Sequence, residues 1–196
     1  MTEIDLSIRE LKRHFEKKIL SPLEYWLALE PHIATWEPHI SALYLYDPDA
    51  ARAQAKASTE RWARGETLGP LDGIPVTLKE LIATKGQPVP LGTKAVELTP
   101  ALDDAPTAAR MREDGAIIFA KTTCPDYGML SSGLSSFHKL SRNPWDVSQN
   151  PGGSSPGASA AAAACYGPLP LGPDIRRLRA ASRRLVRAPP PAAQPA

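Results

Sequence analysis

Residues 103–121 read DDAPTAARMREDGAIIFAK. The first part has helical character from Asp103 to Asp114, with acidic residues at the start to complement the helix dipole. Gly115 supplies the stop. Ala116-Ile117-Ile118-Phe119-Ala120-Lys121 then reads as a fully buried strand. Helix, glycine and apolar strand in that order are the rhythm of an α/β protein.

Working back from this stretch, Ile74 to Lys79 is a second strand with a lysine at its end, entered by the turn Gly69-Pro70-Leu71-Asp72-Gly73. Pro75 predicts an edge position or a bulge, because proline cannot donate to a ladder. Asp47-Pro48 opens an alanine-rich helix that reaches Arg64 and stops at Gly65. Ala42 to Tyr46 is a short strand. Ser7-x-x-Glu10 and Ser21-Pro22-x-Glu24 are capping boxes, each satisfying free donors at a helix start. Ile8, Leu11, Phe15 and Ile19 recur at helical spacing after the first. The two helices predict a hairpin closed near Pro31.

Working forward, residues 122–153 are loop-rich, and Arg142-Asn143-Pro144-Trp145-Asp146 predicts a turn with a buried tryptophan. Ser155 to Cys165 is a run of small residues. It predicts a buried helix that approaches its neighbours closely. No internal repeat is present. Three regions follow: an N-terminal helical region over 1–66, an α/β core over 67–175, and an arginine- and proline-rich tail over 176–196, expected to be disordered.

Composition narrows the function. Of 23 basic residues, six arginines lie in 175–196 with no acid beside them. The remaining 17 face 21 acidic residues, so a basic nucleic-acid-binding body is not supported. Two cysteines without a C-x-x-C pair, and four histidines without ligand spacing, indicate neither a disulfide framework nor a metal site. No apolar run is long enough for a membrane span and the N-terminus has no signal pattern, which predicts a cytoplasmic protein.

Two features could carry chemistry. Lys79 closes an apolar strand whose preceding turn is held by glycines and prolines. Most lysines are solvated surface charges, but this context favours a positioned amine. Pro151-Gly152-Gly153-Ser154-Ser155 leads into the small-residue helix. It presents hydroxyls and backbone N–H groups together, as an anion site at a helix N-terminus would, or as a plain serine cap or linker would.

The segments GPLDGIPVTLKELIATKG, ARMREDGAIIFAKTTCPDYGM and RNPWDVSQNPGGSSPGASAAAAA, in this order and spacing, closely resemble the amidase signature family. The resemblance implies an α/β fold with a mixed central sheet flanked by helices, incomplete in this chain. It also implies amide hydrolysis by a Ser-Ser-Lys triad, with Lys79 as the lysine and Ser154, borne on a cis peptide, as the bridging serine. Gly128 and Ser154 would bind substrate. The implied partner is a small-molecule amide, with no cofactor, metal, membrane or nucleic acid.

The family's nucleophile belongs to a motif of the form GTDIGGS. This chain reads GPDIRRL over 172–178. Leu178 holds the nucleophile's place, and Ile175, Arg176 and Arg177 hold those of the oxyanion hole. If Arg176-Arg177-Leu178 is encoded CGG CGG CTC, loss of the first base restores Gly-Gly-Ser. A frame slip after Ile175 is therefore expected, leaving this chain without hydrolytic activity. Pro156 and Pro173 stand where the family prefers glycine and threonine. Two other readings stand beside this one: an amidotransferase component that takes ammonia from glutamine for a charged tRNA, and a non-catalytic fragment whose arginine tail binds polyanions.

Overall fold

Ser7 and Ser21 start the first two helices by the same device. In α1 (Ile8–Glu16) the Ser7 side chain accepts from Glu10 N while Glu10 Oε2 accepts from Ser7 N at 2.8 Å. In α2 (Pro22–Ile40) Ser21 and Glu24 do the same, with Pro22 at the first helical position. The structure is a computed structural model and describes residues 3–172. The tail over 176–196 and the positions Ile175, Arg176, Arg177 and Leu178 lie outside the described residues.

The predicted closure near Pro31 does not occur. Helix α2 runs through Pro31 and Pro38 to Ile40. Pro31 lies on the exposed side, so the carbonyl it leaves without a helical partner, that of Leu27, faces the solvent side too. Tyr25, Trp26, Leu29, Ile33 and Ile40 bury the opposite face and hold the helix together through the prolines. Ile19 also departs from its predicted stripe. Helix α1 ends at Glu16, Lys18 turns the chain at φ +54°, and Leu20 enters the core instead.

Strand β1 is only Leu43–Tyr44, because Leu45 adopts φ +50° and leaves the extended region. Helix α3 (Pro48–Arg64) follows its prediction, from the Asp47 cap to Gly65 at φ +74°. Strand β2 (Pro75–Lys79) is buried at all five positions. Helix α4 (Pro106–Glu113) is shorter than the predicted 103–114 and has no acidic residue in its first turn. Asp104 instead accepts from Lys85 N at 2.8 Å and pairs with Arg112 at 2.9 Å. Strand β3 (Ile117–Thr122) follows, then helix α5 (Pro156–Ala163) and strand β4 (Leu169–Leu171).

The sheet order is β1-β3-β2-β4, with β3, β2 and β4 parallel and β1 antiparallel. This is the expected mixed sheet. Strand β2 is therefore central, and the edge alternative for Pro75 is overturned. Pro75 is the first strand residue, where a missing N–H leaves the inner ladder intact; the register does shift between Val76 and Thr77, but the extra residue is Phe119 on β3, so the bulge is not at Pro75. Strand β4 had no signal in the sequence: Leu-Pro-Leu shows no alternation, and Pro170 is tolerated because β4 is an edge among the described strands.

The predicted close approach of the small-residue helix is real at Gly157. A Cβ there would lie 2.4 Å from both Ala42 O and Thr123 N. The Arg142–Asp146 turn also forms, with Asn143 Oδ1 accepting from Trp145 N at 3.1 Å, but Trp145 is half-buried rather than buried. Among the described residues, no helix is long and apolar enough to cross a membrane.

Candidate active site

The site starts where β2 ends. Lys79 is its last residue, and its neighbours in the central sheet leave the side chain no exposure. Glu80 N makes a last bond to β3, donating to Thr122 O at 3.0 Å, and the strand stops where Ile82 N turns back to Lys79 O at 2.9 Å. Lys79 Nζ donates to Ser154 Oγ at 3.1 Å, across 75 residues of sequence.

Ser154 is 8 % exposed and reaches Lys79 by an unusual backbone path. Gly152 takes φ +83° and the Gly153–Ser154 peptide is cis. Gly152 N donates to Asn150 Oδ1 at 2.9 Å. Gly153 is required: a Cβ there would lie 2.5 Å from Ser132 O and 2.6 Å from Leu130 O. Ser154 is not a helix cap, since the cap of α5 is Ser155, and its side chain makes no capping bond.

Gly128 lies in the short 3-10 turn Asp126–Gly128, buried at φ +64°, with its N–H donating to Pro125 O at 2.8 Å. It precedes the Leu130–Ser132 carbonyls that abut Gly153. The structure thus brings Lys79 and Ser154 into direct contact and sets Gly128 on the adjoining loop.

Sequence reasoning missed the surroundings of Lys79. Glu80 is fully buried. Its Oε1 accepts from Cys124 Sγ at 2.7 Å, and its Oε2 lies 2.7 Å from His138 Nε2. Burial pushes the Cys124 thiol well above its ordinary value, and the Glu80 carboxylate adds to the effect. A second buried amine, Lys121, donates to Ile82 O and, at 3.0 Å, to Thr84 Oγ1. Burial pulls Lys121 down to about 8, against the opposing pull of Glu80. The one signal available was the adjacency of Glu80 to Lys79. Nothing in the spacing links Glu80 to His138. Among the described residues, no group of three or more His, Cys, Asp or Glu side chains could hold a metal ion.

The sequence model of the Amidase family matches residues 27–176. The chain belongs to the amidase family. It is 41% identical over 142 residues to a glutamyl-tRNA(Gln) amidotransferase subunit of Acidothermus cellulolyticus, covering 72% of this chain and 28% of that protein. The same subunit of Roseiflexus castenholzii is 37% identical over 169 residues, covering 86% and 34%. Among solved structures, a crystal structure of an amidase superposes with a TM-score of 0.78 at 34% identity, covering 86% of this chain and 38% of that one. The chain therefore spans about a third of the length of the curated relatives it matches. The family match takes in both Lys79 and Ser154.

Proposed function

We propose that this chain carries the lysine–serine half of an amide-hydrolysing centre. The observation that supports the reading is the Lys79 Nζ–Ser154 Oγ bond at 3.1 Å, formed by two buried side chains. In this reading Lys79 is neutral and acts as the base, since burial disfavours an ammonium ion. It takes a proton from Ser154, and Ser154 takes one from a nucleophilic serine. That serine attacks the carboxamide carbon, the amine or ammonia leaves with a proton, and water releases the acid. The substrate is a small-molecule amide and the chemistry needs no cofactor. Free Cys124 and Cys165 fit a reducing, cytoplasmic setting.

Leu178 offers no hydroxyl for this step, and Arg176 and Arg177 replace the glycines whose N–H groups would face the oxyanion. One such donor is worth roughly 3–4 kcal/mol. The chain with this sequence is expected to be hydrolytically silent. A second reading, transfer of ammonia from glutamine within a larger assembly, is favoured by the names of the relatives. It shares the Lys79–Ser154 step and differs in the fate of the ammonia. Partner proteins retained through purification would select it.

The test begins with the coding DNA across codons 165–200. A single-base slip after Ile175 is the expected finding. Protein from the restored frame should release ammonia or amine from carboxamides. Lys79→Ala and Ser154→Ala should each lower kcat by about 10³-fold or more. A restored protein inert to every amide tried would sink the hydrolytic reading. Turnover by the chain with Leu178 in place would sink the need for a hydroxyl there.

A further inference from the structure

Glu80 sits where three segments meet. Its backbone N–H donates to Thr122 O at 3.0 Å. Its two carboxylate oxygens reach Cys124 and His138, each at 2.7 Å. A carboxylate with no exposure keeps its place only where such bonds replace water, so the position of this group is closely defined.

Cys124 and His138 are the two ends of one loop, residues 125–137. Tyr44 of β1 and Phe137 pack edge-on against the His138 ring, with centroids at 5.1 and 4.9 Å. Tyr44 also packs edge-on against Phe137 at 5.7 Å, so β1 holds the His138 end of the loop from outside it. The middle of the loop supplies the Leu130 and Ser132 carbonyls that press on Gly153. Gly153 immediately precedes Ser154. Both ends of the loop are therefore tied to the residue after Lys79, and its middle rests on the residue before Ser154.

We propose that Glu80 is a positioning residue. Through its paired bonds to Cys124 and His138 it holds the 125–137 loop against Gly153, and so keeps Ser154 Oγ within hydrogen-bond reach of Lys79. The assignment rests on the hydrolytic reading for its purpose, but the geometry it describes exists without turnover. A glutamine at this position preserves the tether: its carbonyl accepts from the Cys124 thiol, and its amide donates to His138 in the other tautomer. An alanine releases both ends.

The experiment uses the full chain labelled for NMR. It follows the cross-peak between the Lys79 Cε protons and the Ser154 Cβ protons, together with amide exchange at Tyr127 and Gly128. Glu80→Ala is expected to weaken the cross-peak by about threefold or more and to speed exchange at both amides by about tenfold or more. Glu80→Gln should stay close to the parent on both readouts. His138→Ala frees one loop end without touching the carboxylate, so it serves where Glu80→Ala does not fold, and it should move both readouts in the same direction. An unchanged cross-peak in folded Glu80→Ala or His138→Ala overturns the proposal. A cross-peak lost equally in the Gln and Ala variants, with loop exchange unchanged, also overturns it, because charge rather than tethering would then be responsible. If amide hydrolysis is never found but the cross-peak responds as stated, the hydrolytic reading falls and the tether stands.

Discussion

Lys121 shows how one residue carries a measurable signature. Its amine is pulled from 10.5 to about 8 by burial. Below pH 8 both folded and unfolded chains hold the proton, and the fold bears the cost of a buried ammonium ion. Between about pH 8 and 10.5 the unfolded chain holds more protons than the folded one, so stability rises with pH. The gain from this group is about 3 kcal/mol at most, at ~1.4 kcal/mol per unit. Cys124 and Tyr166, whose protons burial retains, pull the other way at high pH. The difference between parent and Lys121→Met therefore isolates the effect. Urea unfolding from about pH 7.5 to 10.5 should show the parent gaining on the variant, and a constant difference would refute the assignment. At Gly153 the contact is steric. Gly153→Ala places a carbon against Ser132 O and Leu130 O, and is expected to cost about 2 kcal/mol or more in unfolding free energy.

At the scale of elements, the clamp between α3 and the turn before β2 governs acid stability. Asp72 is buried and takes Arg61 Nε at 2.9 Å, Ser58 Oγ at 2.7 Å and Leu68 N at 3.0 Å. Burial alone would raise its pKa, but Arg61, Leu68 N and Ser58 outweigh it and hold Asp72 below the usual carboxylate range. Such a group contributes stability above its unfolded value near 3.8, and the contribution is lost as pH falls through the lower folded value. Asp72→Asn should flatten the acid limb of the stability curve below about pH 4. At neutral pH it should cost roughly 2 kcal/mol, less than the ~3–5 of a fully buried pair because Arg61 is about a fifth exposed. The packing of α5 gives a second expectation. Gly157→Ala drives a carbon into Ala42 O and Thr123 N, which belong to different segments. Thermal unfolding should show a loss of about 3 kcal/mol or failure to fold.

For the whole molecule, the strand order sets which hydrogen bonds open last. Strands β2 and β3 are paired on both sides, whereas β1 and β4 are the outer strands among those described. Native-state exchange should find the slowest amides at Val76–Leu78 and Ile118–Ala120, with Leu169 and Leu171 faster. Faster exchange in β2 than in β4 would contradict the observed order.

The elements with strong local signals were legible in the sequence: α3 between Asp47 and Gly65, the capped starts of α1 and α2, the apolar strand β3, and the close-packed helix α5. Capping, turn chemistry and apolar periodicity act over a few residues, so they can be read without knowing the fold. Lys79 and Ser154 were readable as a pair only because their flanking motifs resemble a family pattern. The bond between them spans 75 residues and no local rule encodes it. The passage of α2 through Pro31, the central place of β2 despite Pro75, and the pairing of β4 were decided by burial against distant neighbours, which outweighs local preference. The same holds for Glu80, Cys124 and His138. Each is ordinary in its own stretch of sequence, and they become one buried group only when the sheet brings the ends of β2 and β3 together and the 125–137 loop closes over them.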